Sequence, residues 1–176
     1  MMVAVPTQPY RERKLKMTRR ASIADILHQL DRRSPAGFAA ALHIRFTRPI
    51  YLFQTYAQRW KDRYSSIGGH IRDPAVRWGL QNIGRTRWSD LEPFDETNFL
   101  EEAKDFGLMN GVVFGIVIGE SRSIVACARA DRDFTEEETD ELEALSIELH
   151  NLTSAPGALS PSDQEALTEL SIRLTR

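Results

Sequence analysis

Residues 55–91 read T-Y-A-Q-R-W-K-D-R-Y-S-S-I-G-G-H-I-R-D-P-A-V-R-W-G-L-Q-N-I-G-R-T-R-W-S-D-L. This run brings the indole N–H donors of Trp60 and Trp88, the phenols of Tyr56 and Tyr64 and the carboxylate of Asp73 together among apolar neighbours. Large aromatic bodies with a few fixed polar tips suit a small-molecule pocket better than a hydrolytic site. Each residue also has a plainer reading. Asp73 before Pro74 is an ordinary helix N-cap, although a capping carboxylate keeps a second oxygen to offer. Trp60 and Tyr64 are four residues apart, which places them on one helix face and suits a core as well as a pocket.

Signals for catalysis are absent elsewhere. His28, His43, His70 and His150 are scattered without metal-ligand spacing, and no nucleophile is paired with them. Gly68-Gly69 and Gly107 read as backbone punctuation, with no phosphate-binding fingerprint around them. Cys127 is the only cysteine, so there is neither a disulfide framework nor a cysteine zinc site. No metal, cofactor or catalytic residue is expected, and a lactone hydrolase built on Asp73 lacks an activated nucleophile. A net charge of −2 advertises no nucleic acid. The charge is uneven, with a basic arm from Arg11 to Arg20 and an acid-rich stretch over 133–148 that reads as a solvated helix face. No apolar run approaches membrane-spanning length, and the expected compartment is a reducing cytoplasm.

The elements that must position these residues follow from pattern. Ser22 opens a helix with Ile23, Ile26, Leu27 and Leu30 on one face, closed by Ser34-Pro35-Ala36-Gly37. Residues 38–46 and 50–53 predict a hairpin turned through Thr47-Arg48-Pro49. A helix is predicted over 57–64. A second, capped by Asp73, is predicted to run to Gly84. Thr86-Arg87-Trp88 predicts a short strand, and 96–106 a helix ended by Gly107. Strands over 111–118 and 123–130 precede a capping box at Thr135–Glu138, which starts a helix with Leu142, Leu145, Leu149 and Leu152 inward. Residues 153–157 read as a linker, followed by a last helix from Ser160 with Leu167, Leu170 and Leu174. Hairpins at both ends imply a mostly antiparallel sheet with helices on its faces.

Residues 35–150 resemble the autoinducer-binding domain of LuxR-type quorum-sensing transcription regulators. The resemblance rests on Thr55-Tyr56, Trp60, Tyr64, Asp73-Pro74, Trp88-Ser89-Asp90 and Gly111, at intervals of four, nine and fifteen residues from Trp60 through Trp88. It implies an α+β fold, an α-β-α sandwich around a central five-stranded antiparallel sheet. It also implies that an N-acyl-homoserine lactone lies between the sheet and one helical layer. On that resemblance Trp60 would donate to the lactone carbonyl and Asp73 would accept from the ligand amide. Tyr56 would donate to the acyl carbonyl and Trp88 would pack on the lactone ring. Tyr64, Leu52, Val76, Phe99, Leu108 and Val113 would line the acyl side.

Two departures stand out. Cys127 falls where many members have a serine or threonine that helps hold the acyl carbonyl, and a thiol is a weak donor. Arg129 shares its strand parity and, if inward, would favour a polar tail, although strand-end arginines usually turn their heads to water. The second departure is the end of the chain. L-S-P-S-D-Q-E-A-L-T-E-L resembles the opening of a helix-turn-helix domain, and the chain ends at Arg176 before its second helix. The expected organisation is a basic flexible arm (1–20), an autoinducer-binding domain (21–152), and a linker with a truncated start of a helix-turn-helix domain (153–176). Expected partners are the small-molecule signal and a second copy in a homodimer. DNA would be reached only through the missing domain. A ligand-independent or antagonistic dimerisation module is the alternative.

Overall fold

The chain is seen in a computed structural model that describes residues 23–154 together with residues 161, 162, 165 and 169. The expected basic arm, the Ser22 cap and Leu167, Leu170 and Leu174 of the last expected helix lie outside the described residues. Helix α1 covers residues 23–33. It is followed by strand β1 (Gly37–Ile44) and strand β2 (Tyr51–Gln54). Three helices come next, α2 (Gln58–Ser66), α3 (Gly69–Arg72) and α4 (Pro74–Gln81). Strand β3 (Gly84–Arg87), helix α5 (Trp88–Leu91) and helix α6 (Phe99–Lys104) lead to β4 (Asn110–Ile118) and β5 (Ser121–Arg129). Helix α7 (Glu136–Thr153) closes the domain.

The strands form one five-stranded antiparallel sheet in the order β2-β1-β5-β4-β3, with helices on both faces. This is the α-β-α sandwich expected from the sequence. Strand alternation divides the side chains into two layers. Phe38, Ala40, Leu42, Phe53, Val112, Phe114 and Val125 pack with Ile23, Ile26, Leu27 and Leu30 of α1 and Leu142 and Leu149 of α7. The opposite layer joins Val113, Ile124 and Ala128 to Trp60, Ala75, Trp88, Leu91, Phe99, Leu100 and Ala103.

Several boundaries differ from the sequence reading. Trp88 is not a strand residue but opens α5. Helix α4 stops at Gln81, and Gly84, at φ 104°, starts the strand instead of ending the helix. Helix α6 begins only at Phe99, because Asp95 bonds the backbone N–H groups of Phe99 (3.1 Å) and Leu100 (2.8 Å) with its two carboxylate oxygens. The Thr135–Glu138 capping box is present. The acid-rich stretch does more than meet water. Arg87 of the edge strand pairs with Asp133 (2.8 Å) and Glu136 (2.8 Å), while Arg85 bonds Glu136 (3.2 Å) and Glu143 (3.0 Å), tying β3 to α7.

Candidate ligand-binding site

The register of the sheet explains how two aromatic rings can lie on it. Gly37, Ala128 and Gly111 are partners on adjacent strands and form a row of small residues. A Cβ at Gly37 would come within 2.7 Å of Tyr56 Cδ1, and a Cβ at Gly111 would overlap the Trp88 indole. Tyr56 and Trp88 therefore occupy space that side chains on the sheet would otherwise fill. The next row of partners runs Gln54, Ala39, Ala126, Val113 and Thr86. Ala39 and Ala126 are short, and the layer above them does not close down.

The result is a cavity of about 490 Å³ between the sheet and the helical layer of α2, α3, α4 and α6. Its volume lies in the range of small-molecule pockets, roughly 300–1,000 Å³. Its floor is Ala39, Ala41, Ile124 and Ala126, and its helical wall includes Trp60, Tyr64, Asp73, Val76, Phe99 and Ala103. Trp60 and Phe99 meet edge-to-face at 5.5 Å, and Tyr64 and Phe99 at 5.7 Å, so the aromatic wall is built as one unit. The large apolar lining residues that also reach solvent are Leu52 of β2, Ile71 of α3 and Leu80 of α4.

Asp73 is the single carboxylate in this wall. Its Oδ1 accepts from the Ala75 N–H at 2.9 Å, which caps α4, and its Oδ2 accepts from the Tyr64 hydroxyl at 3.2 Å. A carboxylate has lone pairs for further donors. Burial pushes its pKa up to about 6, against the opposing pull of the Ala75 and Tyr64 hydrogen bonds. Burial also holds the Tyr56 and Tyr64 phenols well above their ordinary range, so both stay neutral donors. The Tyr56 hydroxyl makes only a long 3.4 Å contact to the Ala126 carbonyl. The Trp88 Nε1 is buried with no acceptor among the described residues. The site thus offers phenol and indole donors, one carboxylate acceptor and much apolar wall, with Thr47, Gln54, Lys61, Ser65 and His70 as its other polar lining residues.

Of the residues singled out from sequence, Tyr56, Trp60, Tyr64, Asp73, Trp88, Leu52, Val76, Phe99 and Leu108 all line this cavity. Val113 is buried in the same layer but is not part of the lining. Cys127 is on the wrong face. It pairs with Phe38 and Val112 and is buried in the layer beneath α1 and α7, where burial pushes its thiol up to about 12. Arg129 shares that face and pairs with Asp131 at 2.8 Å and Glu138 at 3.1 Å. The cavity-facing neighbour of Cys127 is Ala126. The floor alanines were missed from sequence. The signal was the alternation in F-A-A-A-L, where Ala39 and Ala41 fall on the cavity side.

Residues 33–152 match the family described as the autoinducer binding domain. The chain belongs to this family. Autoinducer-binding domains take up small-molecule signals in LuxR-type regulators. The domain is similar to the HTH-type quorum-sensing regulator RhlR of Pseudomonas aeruginosa, 32% identical over 102 residues, covering 56% of this chain and 42% of RhlR. The chain therefore spans less than half the length of that curated relative. In fold it is similar to SdiA, solved in complex with octanoyl-rac-glycerol (TM-score 0.59, 17% identity, 90% of this chain and 72% of that one). It is also similar to CepR2 of Burkholderia cenocepacia, described as N-acylhomoserine lactone dependent (TM-score 0.57, 15% identity, 80% of this chain and 94% of that one). Among the described residues no helix of this autoinducer-binding domain is long and apolar enough to cross a membrane.

Proposed function

We propose that this autoinducer-binding domain takes an N-acyl-homoserine lactone as its signal, within a cytoplasmic quorum-sensing transcription regulator that is not an enzyme. The observation that carries the reading is Asp73, the single carboxylate in the wall of a largely apolar cavity, buried and bonded by Tyr64. A buried ligand amide without an acceptor would cost about 1–3 kcal/mol, and Asp73 supplies one. Trp60 donates to the lactone carbonyl, Tyr56 to the acyl carbonyl, and Trp88 packs on the lactone ring. The acyl tail runs over Ala39, Ala41 and Ala126 against Leu52, Val76, Phe99 and Leu108. Each buried CH₂ adds about 0.8 kcal/mol, so tail length tunes affinity steeply. Cys127 plays no part, and the acyl carbonyl rests on Tyr56 alone.

Ligand binding fills the hollow layer and stabilises the fold by mass action, which favours dimers. DNA contact in such a regulator belongs to a helix-turn-helix domain and not to this sensor domain. The octanoyl-glycerol complex of SdiA marks a related class of acylated ligand, which a test must separate from lactones. The protein is expressed with and without a panel of lactones and acylglycerols. Released small molecules are then weighed by mass spectrometry, and melting temperatures compared. The reading expects a lactone to be recovered and to raise the melting temperature most. A melting temperature that no lactone moves, with nothing acylated recovered, would refute it and favour a ligand-independent dimerisation module.

A further inference from the structure

The cavity between the sheet and the helical layer has a mouth. Thr47, Leu52, Ile71 and Leu80 line the cavity and also reach solvent, so the β1–β2 turn and β2 stand on one side of the opening and α3 and α4 on the other. Ile71 is 71% exposed, and Ile50, in the same connection as Thr47, is 45% exposed. Soluble proteins rarely gather large apolar side chains at one place on their surface unless something docks there.

The turn beside this mouth is built at a cost. Arg45 and Arg48 exchange two backbone hydrogen bonds, at 2.9 and 3.1 Å, and close a tight turn on Phe46 and Thr47. Phe46 takes a φ of 59°, the left-handed region where hairpin turns usually place glycine, asparagine or aspartate. A bulky aromatic residue is strained there. Phe46 is also fully exposed, so packing within the chain offsets none of that strain. The folded domain gains nothing visible from this ring.

Charge around the mouth is mostly of one sign. From Ser34 to Ser89 the only acids are Asp62 and Asp73. Asp73 belongs to the cavity wall, and Asp62 bonds Gln58 along α2 at 2.8 Å. The guanidinium groups of Arg45 and Arg48, on either side of the turn, and of Arg77, one helical turn before Leu80, make no ion pair among the described residues. The neighbouring β4–β5 hairpin adds Glu120 and Arg122, one of each sign.

We infer that this face docks on an anionic lipid surface. Phe46 enters the lipid interface as an apolar wedge, Ile50 and Ile71 meet it at the rim, and Arg45 and Arg48 lie at the level of the phosphates. A bilayer sets anionic groups just outside apolar chains, which matches arginines flanking an aromatic tip beside an apolar rim. A nucleic acid would match the charge and leave the apolar side chains uncovered. Docked in this way, the mouth opens toward the bilayer. The inference does not depend on which guest fills the cavity, so its failure would leave the lactone reading standing.

The test is co-sedimentation of the whole chain with two kinds of vesicle, phosphatidylcholine alone and phosphatidylcholine with phosphatidylglycerol in equal parts. Wild type, Phe46→Gly and the double variant Arg45→Gln/Arg48→Gln are compared, and all three keep the basic N-terminal segment. Wild type is expected to sediment with the anionic vesicles, less as salt is raised, and much less with the neutral ones. Phe46→Gly should bind the anionic vesicles about tenfold less well at an undiminished melting temperature, because glycine adopts the left-handed backbone freely. The double variant should lose about tenfold of the preference for anionic over neutral vesicles. Wild type that stays in solution with both vesicles overturns the inference. So does Phe46→Gly that binds as wild type does, since the attachment would then lie elsewhere in the chain. A dimer of wild type that Phe46→Gly dissolves, read by light scattering without vesicles, would assign the face to a second copy and overturn the lipid assignment.

Discussion

Asp73 caps α4 with one carboxylate oxygen and meets Tyr64 with the other, and it does so in a wall that disfavours charge. Its pKa is about 6 in the fold against an ordinary value of 3.8, so between those values the native state holds a proton that the unfolded chain has lost. Stability from this group therefore falls as pH rises through that window, and at neutral pH the empty site carries an ionised acid at a cost. A ligand N–H bonded to Asp73 favours the ionised form. Affinity for an acyl-homoserine lactone is accordingly expected to drop as pH falls below about 6, and titrations from pH 7 to 5 check this. A flat profile would count against Asp73 as the amide acceptor. Gly111 gives a second prediction at this scale. Gly111→Ala forces the Trp88 ring off the sheet, and chemical denaturation should show a loss of about 1–3 kcal/mol. The residues with distinctive chemistry were legible in the sequence because an indole or a carboxylate beside apolar neighbours is informative alone. Cys127 was not. Both faces of S-I-V-A-C-A-R-A are covered, so its alternation carries no inside-outside contrast, and one residue of register moves a side chain across the sheet.

Among the elements, strand β1 shows what local pattern reveals and what it hides. Its extent was legible within about two residues. Its irregularity was not, because that depends on partners distant in sequence. The register slips between Ala41 and Ile44, and His43 takes a positive φ of 54° inside the slip. Its ring bonds Ser121 (2.6 Å) from β5 and Thr153 (2.8 Å) from α7, and lies 4.6 Å from the His150 ring. Burial first, then the His150 and Arg45 charges, bring its pKa down to about 4, and burial lowers His150 as well. For a histidine held neutral, stability is fully present above about 6.5 and is lost as pH falls toward 4, since the unfolded state binds the extra proton. Asp73 acts in the opposite direction over part of that range, so the comparison must isolate His43. Melts of wild type and His43→Asn, which tolerates the left-handed backbone, should show a shallower acid loss in the variant. Identical slopes would contradict the assignment. The ties from Arg85 and Arg87 to α7 were equally hidden, since an acidic helix face and two edge-strand arginines show no pairing until the sheet order is known.

At the scale of the whole molecule the two faces of the sheet are unequal. Beneath α1 and α7 the core is closed by Phe38, Phe53, Phe114, Leu30, Leu142 and Leu149, each fully buried. On the other face the sheet offers small residues, and aromatic rings hold the helices away from it. The layered architecture was legible because hairpin turns and helix caps are local signals. The place of the cavity was not, because empty volume is what remains after every neighbour is packed; the aromatic run suggested a pocket, and only the family resemblance put it between the sheet and one helical layer. A native state with one unfinished core layer should gain stability from whatever completes it.

The measurement that bears most directly on this account is calorimetric titration of N-octanoyl-homoserine lactone into wild type and Asp73→Asn. Asparagine also caps helices well, so the variant is expected to fold. Wild type should show saturable binding with a negative heat-capacity change from burial of the tail. Asp73→Asn should bind more weakly by about 1.5–3 kcal/mol, the range for a hydrogen bond to a charged group. Equal affinities in the two proteins, or no saturable binding in wild type, would contradict it.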